Sequence, residues 1–198
     1  MSGDVTILPS RNRVTQYFQP RGMCRRQVRF GDTIVIQGAG PVGPEVRLAA
    51  AKRFGVDVVI DIARSTEEER LNAVRDLTRG RGADITIEAT GVPSAVPEGM
   101  RLTRDAGRYI VVGQYTNVGD TSFNPHLDLN QKHLEIRGCW GSDVGHLYRS
   151  VHVTAKYAKQ FRWTDLSSGE YDLLHAQDAL DDVEAQRVVK ALIVSLAR

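Results

Sequence analysis

Cysteine is nearly missing from this 198-residue chain: Cys24 and Cys139 stand far apart, and no Cys-x-x-Cys pair occurs. That excludes a disulfide framework and the short thiolate spacings that announce a structural zinc site. No apolar run approaches the ~20 residues that a bilayer crossing needs. The opening "MSGDVTILPS" lacks the basic-then-apolar layout of a secretory leader, so the expected compartment is the cytoplasm, with no membrane partner. Internal repeats and low-complexity tracts are absent too, which removes solenoids from consideration. Nor is there a strong charge imbalance: the net charge is +2, and 41% hydrophobic with 25% charged residues is ordinary for one soluble globular domain.

What charge there is lies unevenly. Residues 1–30 hold Arg11, Arg13, Arg21, Arg25, Arg26 and Arg29 against the single acid Asp4, and the rest carries about three net negative charges. The expected organisation is a solvated basic N-terminal arm over 1–30 followed by one domain over 31–198. Nucleic acid is not expected as a partner.

Periodicity predicts alternating strands and helices. The candidate strands are 33–37, 56–61, 84–89, 108–113, 134–138 and 191–196. "TIVIQ", "VDVVID" and "RYIVVG" are nearly continuous apolar runs, as expected of strands covered on both faces, whereas "LEIRG" alternates and suits an edge. A helix is expected from Gly43 to a stop at Gly55. A second should open with a Ser65/Glu68 capping box and turn Leu71, Val74 and Leu77 inward. A third, over 143–159, should bury a stripe of Val144, Leu147, Tyr148, Val151, Ala155 and Ala158. Strands alternating with helices imply an α/β fold with a doubly wound, mostly parallel sheet.

The chemistry gathers at "QGAGPVGP", where a buried strand runs into Gly38, Gly40 and Gly43 and a helical pattern follows. In such a loop the first glycine makes a tight turn, the second lets the backbone approach a pyrophosphate, and the third allows close helix-to-strand packing. Pro41 pre-sets the first helical turn, and Val42 points into the helix's apolar face. No Lys-Ser or Lys-Thr pair follows, which excludes a P-loop. This is a Rossmann-like dinucleotide fingerprint. Its ribose-binding acid should end the next strand, and Asp61, 18 residues after Gly43, is the candidate. A carboxylate there would favour NAD; NADP stays open.

From Gly31 onward the chain resembles the coenzyme-binding domain of zinc-type, medium-chain alcohol dehydrogenases. The resemblance rests on "GDTIVIQGAGPVGP", "AKRFGVDVVIDI", "LTRGRGADITIEATGVPSAV", "LTRDAGRYIVVGQY", "KHLEIRGCWGS" and "VVKALI", in family order. It implies that the glycine loop holds a pyrophosphate, that Ala89, Thr90 and Gly91 border the coenzyme cleft, and that Val112, Gly113, Cys139 and Trp140 meet the nicotinamide end. It places Lys190 where a basic residue reaches the pyrophosphate. It also implies pairing of two chains through the edge strand near 134–140 to give a homodimer.

Two departures stand out. "GPEVRLAA" runs directly into "AKRFG", as though one strand with its flanking half-helices had been removed; "VDVVID" would then fill the vacant slot and give a 2-1-3-4-5 strand order. The resemblance also leaves no counterpart in these residues for the family's N-terminal catalytic domain, which is therefore expected to be lacking. That domain supplies the zinc ligands, an early Cys and a GHE-type motif; residues 1–27 contain no His-Glu motif, and their one cysteine, Cys24, has no ligand partner near it in sequence. His126, His133, His146, His152 and His175 show no i, i+4 pair, so no metal ligand and no catalytic residue is assigned. Without the partner domain an apolar face would be left bare, which predicts aggregation or obligate dimerisation. The resulting reading is a nicotinamide-dinucleotide-binding domain of an alcohol or polyol dehydrogenase, with hydride transfer implied by resemblance; the alternative is an inactive nucleotide-binding or dimerisation module.

Overall fold

The computed structural model describes residues 5–9, 29, 31–38, 51–52, 55–141, 143–161, 169–185, 187–188 and 190–195. Its main sheet contains β1 (Val5–Pro9), β2 (Thr33–Gln37), β3 (Val58–Ile60), β4 (Ala83–Glu88), β5 (Thr103–Val111) and β6 (Glu135–Gly138), in the order β3-β1-β2-β4-β5-β6. The steps β2 to β4, β4 to β5 and β5 to β6 are all parallel. The apolar runs "TIVIQ" and "ADITIE" pair Ile34 with Ile85 and Ile36 with Ile87, and Ile34, Ile85 and Ile110 form a buried cluster on one sheet face. Val35, Val74, Ala83 and Leu102 form another, which packs helix on sheet. The alternating strand β6 is the sheet's edge, as its pattern predicts.

The sheet differs from expectation at one slot. The expected 2-1-3-4-5 order would set β3 directly beside β2. Instead β1 lies between them, antiparallel to both, pairing Val5 with Gln37 and with Ile60. The order of the other five strands is as expected once this inserted strand is set aside. β1 falls inside the stretch that its charge marks as a basic arm. The candidate strand at 191–196 is shorter and lies elsewhere: β8 (Ala191–Ile193) pairs in parallel with β7 (Gly169–Tyr171) in a separate two-stranded sheet.

Four helices are described: α1 (Glu67–Leu77), α2 (Ala95–Leu102), α3 (Val144–Lys156) and α4 (Ala176–Glu184). The capping box of α1 sits one residue later than expected. Glu69 N donates to Thr66 Oγ1 at 3.2 Å, and Thr66 N donates to Glu69 Oε2 at 2.7 Å. Val74 is buried and Leu71 packs against its cluster, as expected; Arg70 is buried as well, and Leu77 is 48% exposed, contrary to its expected burial. Buried Arg70 makes a bidentate ion pair with Glu98 of α2, Nε to Oε1 at 2.6 Å and Nη2 to Oε2 at 3.1 Å. Residues 51–52 are helical and Gly55, at φ +82°, donates its N–H to Lys52 O at 3.0 Å; the rest of the helix expected from Gly43 lies outside the described residues.

Helix α3 starts at the expected cap, with Asp143 Oδ1 accepting from His146 N at 2.8 Å. Its apolar stripe is nevertheless uncovered, with Val144 at 82%, Leu147 at 66% and Val151 at 60% exposure. The helix buries none of its residues, because no described element lies along that stripe.

In the C-terminal unit Asp172 accepts from His175 N at 3.0 Å and faces His175 Nδ1 at 2.6 Å. The side-chain hydrogen bond to Asp172, reinforced by its charge, raises the His175 pKa above the ordinary value of 6.5. A raised folded-state value gives a stabilising contribution that is complete below about 6.5 and is lost as pH rises through the raised value. In D172N the imidazole should titrate at the ordinary value, which proton NMR of the ring resonances against pH would read. Identical titration in the wild-type chain and the variant would show that the pair does not form.

Candidate functional site

Parallel strands bring the loops at their C-terminal ends to one edge of the sheet, and here β2, β4, β5 and β6 end side by side. Backbone hydrogen bonds stitch the ends together: Ala89 N donates to Gln37 O at 2.8 Å, Val112 N to Glu88 O at 2.9 Å, and Cys139 N to Val111 O at 2.9 Å. Gly38, Ala89, Thr90, Gly91, Val112, Gly113 and Cys139, all named from sequence, are therefore neighbours along this edge.

Close approach explains the glycines. Gly38 has φ +105°, and a Cβ there would lie 2.8 Å from Ala89 O, so any larger residue would be strained and would push the β2 and β4 loops apart. A Cβ on Gly113 would meet Gly91 N at 2.5 Å, Glu88 Oε1 at 2.7 Å and Thr90 N at 2.7 Å. The bare backbone at these turns lets the loops at the strand ends pack directly against one another.

Glu88 organises these loops and was not foreseen. It is fully buried at the end of β4. Its Oε1 accepts from Thr90 N, Thr90 Oγ1 and Gly91 N, each at 2.7 Å, and its Oε2 accepts from Gly113 N at 3.1 Å. One carboxylate thus takes donors from two loops; Gly113 N also donates to the Glu88 backbone carbonyl at 3.1 Å, whereas no other acceptor is described for Thr90 N and Gly91 N. A carboxylate closing the apolar run "ADITIE" just before "ATG" was the signal that could have found it.

On the adjacent strand β2, Gln37 has a similar role. It is 2% exposed, donates through Nε2 to Ala95 O at 2.9 Å, and accepts through Oε1 from the Tyr109 hydroxyl at 3.3 Å. Burial, with the nearby charges of Glu88 and Glu98, pushes the Tyr109 phenol well above its ordinary range, so it remains a neutral donor. Next to Gly113 in sequence, Gln114 Nε2 is enclosed and has no hydrogen-bond partner among the described residues.

The remaining candidates are placed differently. Cys139 is half-buried and packs against the Ile34, Ile85 and Ile110 cluster. Trp140 is 77% exposed, with its ring 5.5 Å from that of Tyr115. Asp61 is not brought to the end of β2: it follows β3, two strand positions away across β1. There it caps a short 3-10 turn, accepting from Ala63 N at 2.9 Å, and pairs with Arg64 at 3.4 Å. Exposed Lys190 precedes β8, outside the main sheet. Gly40, Pro41, Val42 and Gly43 lie outside the described residues.

Two requirements can be compared with this geometry. A dinucleotide needs bare backbone at strand ends and a few directed donors, and the residues present fit it. Zinc needs three or four converging ligands. Among the described residues no three His, Cys, Asp or Glu side chains gather as a metal site, so no chemistry is assigned to that metal here.

Comparison with known proteins agrees with the geometry. A family profile described as zinc-binding dehydrogenase matches residues 34–156. The 5-exo-hydroxycamphor dehydrogenase of Pseudomonas putida is 31% identical over 188 residues, 85% of this chain and 52% of that protein. The erythritol/L-threitol dehydrogenase of Mycolicibacterium smegmatis is 33% identical over 147 residues, 61% of this chain and 39% of that protein. Among solved structures, an alcohol dehydrogenase from Thermotoga maritima superposes with a TM-score of 0.73 at 32% identity, covering 82% of this chain and 42% of that one. The chain thus spans about half the length of the curated relatives it matches. It belongs to the zinc-binding dehydrogenase family and corresponds to its coenzyme-binding half.

Proposed function

We propose that this chain binds a nicotinamide dinucleotide, NAD in the first instance, along the C-terminal ends of β2, β4 and β5, as the hydride-transfer half of an alcohol or polyol dehydrogenase acting in the cytoplasm. The observation that carries the reading is the meeting of the Gly38, Gly91 and Gly113 turns around buried Glu88. The names of the relatives, which include hydroxycamphor and erythritol/threitol dehydrogenases, support the substrate class.

In this reading the nicotinamide ring, when bound, gives or takes the hydride. The protein's role is placement. Gly40 and Gly43, with the backbone that follows Gly38, would take the pyrophosphate. Ala89, Thr90 and Gly91 would form one wall, held by Glu88, and Val112 with Gly113 the floor. Gln114 would contribute an amide donor, and Cys139 with Trp140 would close the β6 side. Asp61 caps its own turn after β3, two strand positions from β2, and Lys190 precedes a strand of the separate sheet, so the ribose and phosphate contacts first sought from them would fall to other groups. Polarisation of the substrate would come from a group outside the described residues. The open edge of β6 supports association of two copies there.

Calorimetric titration with NADH and then NADPH tests the reading. Saturable binding of NADH, weaker for NADPH, is expected. Failure of a folded sample, verified by circular dichroism, to bind either at millimolar concentration would overturn it. Binding without turnover of any alcohol or polyol would reduce the chain to a binding module.

A further inference from the structure

We propose that the gap between β2 and β3 is a strand-binding site, filled by Val5–Pro9, and that a second copy of the chain can supply that strand in exchange. Three observations point to this. First, β1 is the backbone bridge of the sheet: β3 forms its ladder with β1, from Val5 opposite Ile60 to Ile7 opposite Val58, and meets no other described strand. Removing β1 would open two strand edges at once, and open edges recruit extended chain. Second, β1 runs antiparallel to both neighbours in a sheet whose other pairings are parallel. It is therefore not a turn of the β-α-β winding, and the parallel strands β2, β4, β5 and β6 pair without it.

The third observation is the tether. Pro9 pairs with Thr33, so a two-residue hairpin turn would join β1 to β2. The chain instead places residues 10–32 between them. Such a length can span on the order of 75 Å when extended, whereas paired strands lie only about 4.8 Å apart. The tether therefore lets Val5–Pro9 reach the same slot in an adjoining copy. Every backbone bond made within one chain is reproduced between two, which is the condition for low-cost strand exchange into a closed two-fold dimer.

Thr6 and Ile36 are register partners across β1 and β2, and a thiol pair introduced there would trap the arrangement. In the full chain carrying T6C and I36C, with C24S and C139S, mild oxidation should link the two introduced thiols. The share of linkage between two chains, read on a non-reducing gel and located by peptide mass mapping, should grow with protein concentration. Independently, a fluorescein-labelled peptide of residues 2–13 added to the unmodified full chain should give a saturable rise in anisotropy. The same peptide with I7P should bind at least tenfold more weakly, because a central strand uses every N–H. Linkage only within single chains at every concentration, or no linkage at this pair, together with a peptide that does not bind, would overturn the proposal. If the cysteine variant fails to fold, the peptide titration decides.

Discussion

Replacing Glu88 with leucine is expected to lower the unfolding free energy by about 4 kcal/mol and to abolish dinucleotide binding. The carboxylate takes four hydrogen bonds, from Thr90 N, Thr90 Oγ1, Gly91 N and Gly113 N, in a fully buried position. Hydrogen bonds to a charged group contribute roughly 1.5–3 kcal/mol each, and a buried donor left without a partner costs about 1–3 kcal/mol. These terms are not additive, because the loops would relax and admit water, which is why the expected total is well below their sum. The isostere Glu88→Gln keeps an acceptor for the Thr90 and Gly91 donors but turns its amide toward Gly113 N–H. It should cost about 1–2 kcal/mol and leave binding weakened rather than lost. Thermal melts should show a fall of roughly 10 °C for E88L. A melting temperature within two degrees of the unmodified chain would mean that solvent, not Glu88, satisfies these loops.

The same residue shows where the sequence is readable. Glycine turns after apolar runs are legible because their spacing is set by backbone geometry, and Gly38, Gly91 and Gly113 do converge. Glu88 was passed over because an acid in a strand looks like an exposed polar position, and only three dimensions reveal the donors around it. Helix α2 was missed for a related reason. It spans only eight residues and buries Pro97, Glu98 and Gly99 beside Met100 and Leu102, so an acid and two residues that read as breakers occupy positions where a regular apolar stripe would be sought. Pro97 is tolerated because the first turn of a helix has no partner for its N–H groups. β1 was hidden by its neighbours, since five residues of strand composition ahead of six arginines were weighed as part of a charged arm. The stripe of α3 shows the opposite error: the helix was read correctly, but periodicity reports that a face is apolar and not that anything covers it.

Breaking the pair between α1 and α2 should have an effect nearly as large. Arg70 and Glu98 are 7% and 8% exposed at the side chain, and Arg70 Nη1 also donates to Ser65 O at 2.5 Å, so the guanidinium ties together α1, α2 and the turn ahead of α1. Removing one partner of a buried pair strands the other charge in a poorly solvated site, at a cost of about 3–5 kcal/mol. R70M is therefore expected to lose about 3 kcal/mol or more in urea unfolding. R70M combined with E98L should regain much of that loss, since neither charge remains and the volume is refilled. The same two helices carry a built-in control. Arg101 and Glu67 also bridge them, at 2.7 Å, but with side chains 36% and 42% exposed. Water already solvates both groups and salt screens them, so R101M should change stability by less than about 1 kcal/mol. The contrast separates burial from mere proximity: similar losses for R70M and R101M would show that solvent reaches the Arg70 pair. A double variant no more stable than R70M alone would show that Arg70 acts through the Ser65 turn rather than through Glu98.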